Sequence, residues 1–192
     1  MNPLQTETVE DVKISQDLSA EQQSQIRALL TEYQDIFTDV PSITPLEQHR
    51  INLTTTDPIR GKAYSLPHAM RETLDKEIDN MLSMGVIKAS TAAYASPVVM
   101  VKKPDGSTRV CIDYRKLNSV TVFDPEPMPT AEEIFAKLAG DRYFSKFDLS
   151  KGYWQVPVHD EDRDLTTFVC HRGLFRFRVM PFGLVNAPDT FS

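Results

Sequence analysis

Asp148 is a lone carboxylate in the run F-S-K-F-D-L-S-K-G-Y-W-Q, residues 144–155. A strand-like stretch, Arg142-Tyr143-Phe144-Ser145-Lys146-Phe147, leads up to it. A small, turn-prone pair, Ser150 and Gly152, and the aromatic pair Tyr153-Trp154 follow it. A charge on the tip of a strand needs a partner, because burying it unpaired is expensive. The partners available to it are a metal ion, an Arg or Lys, or a helix N-terminus. Two roles fit these residues equally: a metal ligand, or a cap on the turn that begins at Leu149.

Other segments carry groups of comparable interest. Lys102 and Arg109 flank the turn Pro104-Asp105-Gly106, with Lys103 beside them. A short hairpin with cations near its tip can fold over a triphosphate, Arg as a bidentate fork and Lys as a point charge. A solvated hairpin tip is the plainer alternative. Alternation puts Asp113 and Arg115 on one face, where they can pair with each other or grip a phosphate backbone. Phe182-Gly183 lies in M-P-F-G-L, where glycine permits close approach of a backbone or base. The acidic run from His159 to Asp164 is polar throughout and reads as a solvated turn. His49, His68, His159 and His171 are scattered and suggest no ligand set.

These groups need elements to hold them. Ser19 and Gln22 form a capping box ahead of a helix whose apolar residues are Ile26, Leu29, Leu30, Tyr33, Ile36 and Phe37, with Val40-Pro41 as the stop. Pro41, Pro45, Pro58 and Pro67 interrupt an extended connector that holds one short strand candidate, His49–Leu53. A second helix fits His68–Met84, with Met70, Leu74, Ile78, Met81 and Leu82 on its face and Gly85 at C′. Val98–Lys103 and Thr108–Tyr114 read as a hairpin. Thr130 and Glu133 cap a third helix that ends at Gly140. A further hairpin runs from Thr166–Cys170 through His171-Arg172-Gly173 to Leu174–Met180, and Asn186-Ala187-Pro188 opens a last helix. The expected organisation is a flexible lead-in over 1–18, a helix and connector over 19–67, and an α+β domain over 68–192.

With 192 residues, 41% apolar and 25% charged, the composition is that of a soluble globular protein. No apolar run approaches the ~20 residues that span a bilayer, so no membrane role is expected. Met1–Gln5 lacks the basic and apolar regions of a secretory signal. Cys111 and Cys170 are too far apart in sequence for a metal spacing and read as reduced thiols, which points to a cytoplasmic or nuclear protein. The net charge of −6 comes entirely from residues 1–40; the remainder is neutral and has room for a local basic groove.

Four segments, in order, carry a resemblance: Ser96–Asn118 (S-P-V-V-M-V-K-K-P-D-G-S-T-R-V-C-I-D-Y-R-K-L-N), Pro127–Thr130 (P-M-P-T), Phe144–Gln155, and Phe177–Phe191 (F-R-V-M-P-F-G-L-V-N-A-P-D-T-F). Together they resemble the fingers and first palm segments of reverse transcriptases from long-terminal-repeat retrotransposons of the Gypsy/Ty3 type. The resemblance runs from about Phe37 to Ser192. It implies an α+β right-hand polymerase fold with fingers and an incomplete palm, and RNA-directed DNA polymerase activity within a Pol polyprotein. It makes Asp148 the first catalytic aspartate, with the Leu149 carbonyl as a second oxygen ligand to Mg²⁺ or Mn²⁺. It puts Lys102 and Arg109 on the incoming dNTP. Tyr153 would lie beneath the sugar, and Phe182 and Gly183 would line the nucleotide and template-base pocket. The implied partners are an RNA or DNA template with its primer and the rest of the polyprotein, and the implied setting is a cytoplasmic virus-like particle or the nucleus.

The family's aromatic-x-Asp-Asp segment is not among the 192 residues, nor is any ribonuclease H, integrase or protease signature. The expectation is therefore a fragment, poorly stable and inactive alone, with an open edge and apolar face beside the Asp148 strand. The alternative function is a non-catalytic relic or a co-opted module that binds nucleic acid or protein.

Overall fold

The structure, a computed structural model, describes residues 8–38, 41–104, 106–125 and 129–192. Readings that fall on Met1–Gln5, Val40, Asp105, Pro127 and Met128 lie outside those residues. The chain divides into two units, one formed by Met1–Ser42 with Asp148–Gly152, the other by Ile43–Phe147 with Tyr153–Ser192.

In the first unit, helix α1 (Ala20–Glu32) starts at the expected capping box: Ser19 Oγ accepts the Gln22 N–H at 3.2 Å and Gln22 Oε1 accepts the Ser19 N–H at 2.9 Å. The helix stops at Tyr33, and a 3₁₀ turn over Gln34–Ile36 replaces the expected last turn. None of its residues is buried. The apolar stripe read from its sequence is only partly covered: Ile26, Leu30 and Phe37 are half-buried, whereas Leu29, Tyr33 and Ile36 are exposed, Ile36 at 65%.

The second unit is built on a five-stranded sheet. Helix α2 (His68–Ser83) precedes it and buries Leu74, Ile78 and Met81, the expected 3–4 spacing. Gly85 ends it at φ +68°, and the Val86 N–H reaches back to the Met81 carbonyl at 2.9 Å, as a left-handed C′ residue allows. The strands are β1 (Ile87–Ala89), β2 (Ser96–Lys102), β3 (Thr108–Ile112), β4 (Phe168–Cys170) and β5 (Gly173–Phe177), in the order β1-β5-β4-β2-β3. All neighbours are antiparallel except β2 and β4, where Ser96 faces Phe168. Both hairpins read from the sequence are present. Strand β1 has no signal in the sequence, because three residues give no period.

Two apolar clusters hold this unit together. One packs Leu74, Ile78 and Met81 of α2 against Val98, Phe168, Phe175 and Phe177 of the sheet. The other gathers Ile51, Tyr114, Leu117, Val158, Met180 and Leu184. Between β3 and the second hairpin lie the short helix α3 (Arg115–Asn118), which was not read, and α4 (Ala131–Leu138), whose Thr130–Glu133 capping box was. Helix α5 (Ala187–Phe191) begins after Asn186, as expected.

The strand expected over Arg142–Phe147 is not formed. Those residues have no regular structure and are exposed, Phe147 at 72%. A strand needs a neighbouring backbone along its length, and no ladder runs through residues 142–147. The open apolar side chains expected here are therefore present without the strand that was to carry them.

The acidic run also departs from expectation. Asp160 and Glu161 are exposed, but Asp162 is 6% exposed, accepts the Ile51 N–H at 3.0 Å and pairs with Arg50 Nε at 2.8 Å. Asp164 pairs with Arg176. The run is a fastener for the connector rather than a wholly solvated turn. The connector's His49 is buried too, with its Nδ1 2.8 Å from Thr190 Oγ1 on α5.

Candidate functional site

Three of the residues singled out by sequence meet in the second unit. Tyr153 stacks on Phe182, ring centroids 4.8 Å apart and planes 21° apart, and Phe191 of α5 meets the Tyr153 ring edge-on at 5.1 Å. Phe182 remains 58% exposed, so the stack lies at the surface. Gly183 follows at φ +96°, a region that L side chains avoid. A Cβ there would lie 3.6 Å from the Ile112 carbonyl oxygen and 3.7 Å from Tyr114 Cδ2. The aromatic loop is thus seated on the end of β3.

Arg109 lies on the same strand, about 10 Å along it from Ile112 at ~3.3 Å per residue. The register opposes Val101 to Arg109 and Lys102 to Thr108. Lys102 therefore stands on the hairpin face shared with Val98 and Met100, and Arg109 on the opposite face. The two cations are both exposed but do not converge as a pair. Alternation instead puts Lys103 on Arg109's face, and the Lys103 N–H extends the ladder to Ser107 at 2.8 Å.

Tyr114, two residues past β3, ties the chain there to the turn before β4. It is buried, and its hydroxyl donates to the Thr166 carbonyl at 2.8 Å; burial pushes its pKa well up. Beyond it, Arg115 grips Asp113 through two bonds, Nε to Oδ1 at 2.8 Å and Nη2 to Oδ2 at 2.7 Å. The Arg115 hydrogen bonds hold the Asp113 carboxyl down at about 2. The paired alternative for these two residues is the one the structure contains, and it leaves the Arg115 side chain 84% exposed.

That ion pair borders a cavity of about 620 Å³ lined by Arg60, Lys62, Tyr64, Asp113, Arg115 and Lys116, among others. Its named charges are four cations and one carboxylate. Gly61 permits the wall to close: a Cβ there would sit 2.7 Å from Pro97 Cδ. Arg60 and Lys62 were not singled out from the sequence. The available signal was a pair of cations around a glycine in a connector otherwise marked by prolines.

Asp148 and Leu149 belong to the first unit. Asp148 is exposed. The Leu149 carbonyl accepts the Gly152 N–H at 3.2 Å across a turn in which Lys151 takes φ 51°. A carbonyl oxygen has a second lone pair, so this turn leaves Leu149 able to bind a cation. The donor types, one carboxylate and one carbonyl, suit a hard divalent ion. No group of three or more His, Cys, Asp or Glu side chains that could hold a metal gathers among the described residues.

Residues 101–192 match the family model described as reverse transcriptase (RNA-dependent DNA polymerase). The chain is 36% identical over 183 residues to the retrovirus-related Pol polyprotein from transposon 297 of Drosophila melanogaster, an alignment covering 91% of this chain and 17% of that polyprotein. The prototype foamy virus protease-reverse transcriptase superposes with TM-score 0.77 at 26% identity, over 91% of this chain and 24% of the viral one. The foamy viral enzyme in complex with RNA/DNA hybrid superposes with TM-score 0.74 at 22% identity, over 91% and 24%, a likeness of fold. No helix among the described residues is long and apolar enough to cross a membrane.

Proposed function

The chain belongs to the reverse transcriptase family, and on that premise we propose that it supplies the nucleotide-facing fingers and first palm segment of an RNA-directed DNA polymerase within a retrotransposon Pol polyprotein. One observation carries the reading: the Tyr153–Phe182 stack seated by Gly183 on the strand that bears Arg109. A flat, partly exposed aromatic surface beside a cationic hairpin suits a molecule with a sugar and base at one end and phosphates at the other.

In this reading Arg109 takes the triphosphate, with Lys103 beside it on the same face and Lys102 in a peripheral role. Tyr153 packs beneath the sugar and disfavours a 2′-hydroxyl, and Phe182 contacts the nucleotide by packing. The cavity cations Arg60, Lys62, Arg115 and Lys116 hold phosphates of the template strand. Mg²⁺ or Mn²⁺, held by Asp148 and the Leu149 carbonyl, would supply the charge that activates the primer hydroxyl and steadies the leaving phosphate. Further carboxylates are required to complete such a centre, and we assign them to another part of the polyprotein.

The test is primer extension by a polyprotein segment that contains this chain and continues past Ser192. Deoxynucleotide incorporation should fall by more than about 100-fold in Asp148→Asn. Incorporation at the unmodified rate in that variant would overturn the catalytic assignment. The non-catalytic reading also has support, because the basic cavity does not depend on Asp148. It predicts nucleic-acid binding that weakens steeply with salt in a protein that never extends a primer.

A further inference from the structure

The loop that carries Phe182 has little of its own backbone to hold it. Between Pro181 and Ala187 the chain turns twice, with Gly183 in the left-handed region. Two of its backbone groups are met by one side chain. Asn118, the last residue of α3, donates from Nδ2 to the Gly183 carbonyl at 2.8 Å and accepts the Val185 N–H on Oδ1 at 3.1 Å. The connection is returned from the far end of the loop, where Asn186 Nδ2 donates to the Val122 carbonyl at 2.8 Å. The loop and the segment after α3 are therefore laced by two side-chain amides running in opposite directions.

We propose that Asn118 is a positioning residue for the nucleotide pocket, fixing the Phe182–Gly183 loop so that Phe182 stays stacked on Tyr153. The inference rests on the reading of that stack as the nucleotide site. The chemistry requires an amide. A donor must face the Gly183 carbonyl while an acceptor faces the Val185 N–H, and a planar side chain of this length offers both at once. Aspartate keeps the acceptor but sets a carboxylate oxygen against the carbonyl. Alanine loses both bonds and leaves two loop groups to water. Phe182 is 58% exposed and stacks on Tyr153, so slack in the loop passes directly into the stack.

The experiment uses the extended polymerase segment with Asn118→Asp and Asn118→Ala, measuring KM for dNTP, kcat and template–primer affinity separately. Loss of one or two net hydrogen bonds predicts a rise in KM for dNTP of about tenfold, with template–primer affinity unchanged. Deuterium uptake at Val185 in the 192-residue chain should quicken in Asn118→Ala and stay close to the parent in Asn118→Asp, which retains the acceptor. An unchanged KM in Asn118→Ala would overturn the proposal, as would a fall in kcat and active fraction with KM held. A parent polymerase that does not incorporate dNTP at all would instead defeat the functional reading, while the exchange measurement would still decide the latch: unchanged uptake at Val185 in Asn118→Ala refutes it.

Discussion

Gly183 sets the turn that follows Phe182. It holds φ +96°, with the end of β3 at ordinary contact distance from where a Cβ would lie. Gly183→Ala is expected to cost about 1–2 kcal/mol of backbone strain, read as a lower urea midpoint. Because the strain falls on the Phe182 loop, dNTP KM should rise by more than the global loss alone explains. Two titrations belong at this scale as well. Burial of His49 brings its pKa from 6.5 to about 4, so the unfolded chain binds the proton first. Its contribution to stability is complete above pH 6.5 and is lost as pH falls toward 4, by up to about 3 kcal/mol. Unfolding midpoints across that window should flatten in His49→Gln. Asp113, lowered to about 2 by Arg115, acts in a more acid window: its contribution is present above the ordinary carboxylate value and lost as pH falls toward 2. His49 is therefore expected to govern the first acid transition.

At the scale of elements, α2 and the sheet are joined through side chains with no exposure at all, Leu74 and Ile78 against Phe168. Ile78→Ala is expected to destabilise by about 3 kcal/mol, from lost burial plus the cavity left behind; denaturant unfolding with an unchanged slope would check it. The Tyr114 hydroxyl, two residues past β3, bonds the Thr166 carbonyl in the turn before β4, and its removal takes that buried bond away. Tyr114→Phe should cost about 1–2 kcal/mol. Elements without such joints behave differently. Helix α4 is well capped, yet Phe135 is 70% exposed, because a cap fixes where a helix starts and not what covers it.

At the scale of the whole molecule, the exposed aromatics gather before Asp148: Tyr143 at 69%, Phe144 at 65% and Phe147 at 72%. Exposed apolar surface of this kind promotes association. Phe144→Ser with Phe147→Ser is expected to lower the aggregation rate of the 192-residue chain without shifting the unfolding midpoint of the sheet, measured by light scattering and circular dichroism. The chain spans 17% of the transposon 297 polyprotein.

The order of four motifs, the capping pairs at Ser19 and Thr130, the stripe on α2 and both hairpins were legible in the amino-acid sequence. Each rests on contacts between residues close along the chain, or on residue types that chemistry makes hard to exchange. Tyr153, Phe182 and Gly183 were marked by the resemblance to a known family, and the structure brings the two rings together. Three things were not legible. The opposition of Lys102 and Arg109 across the hairpin depends on strand register, which one residue of slip inverts. Asp162 was hidden because its partners, Arg50 and the Ile51 N–H, lie more than a hundred positions away. The run before Asp148 has strand composition, but a strand exists only when another backbone takes its hydrogen bonds. Sequence determines which groups are available and where short-range structure begins; tertiary structure alone decides which distant backbone or charge answers them.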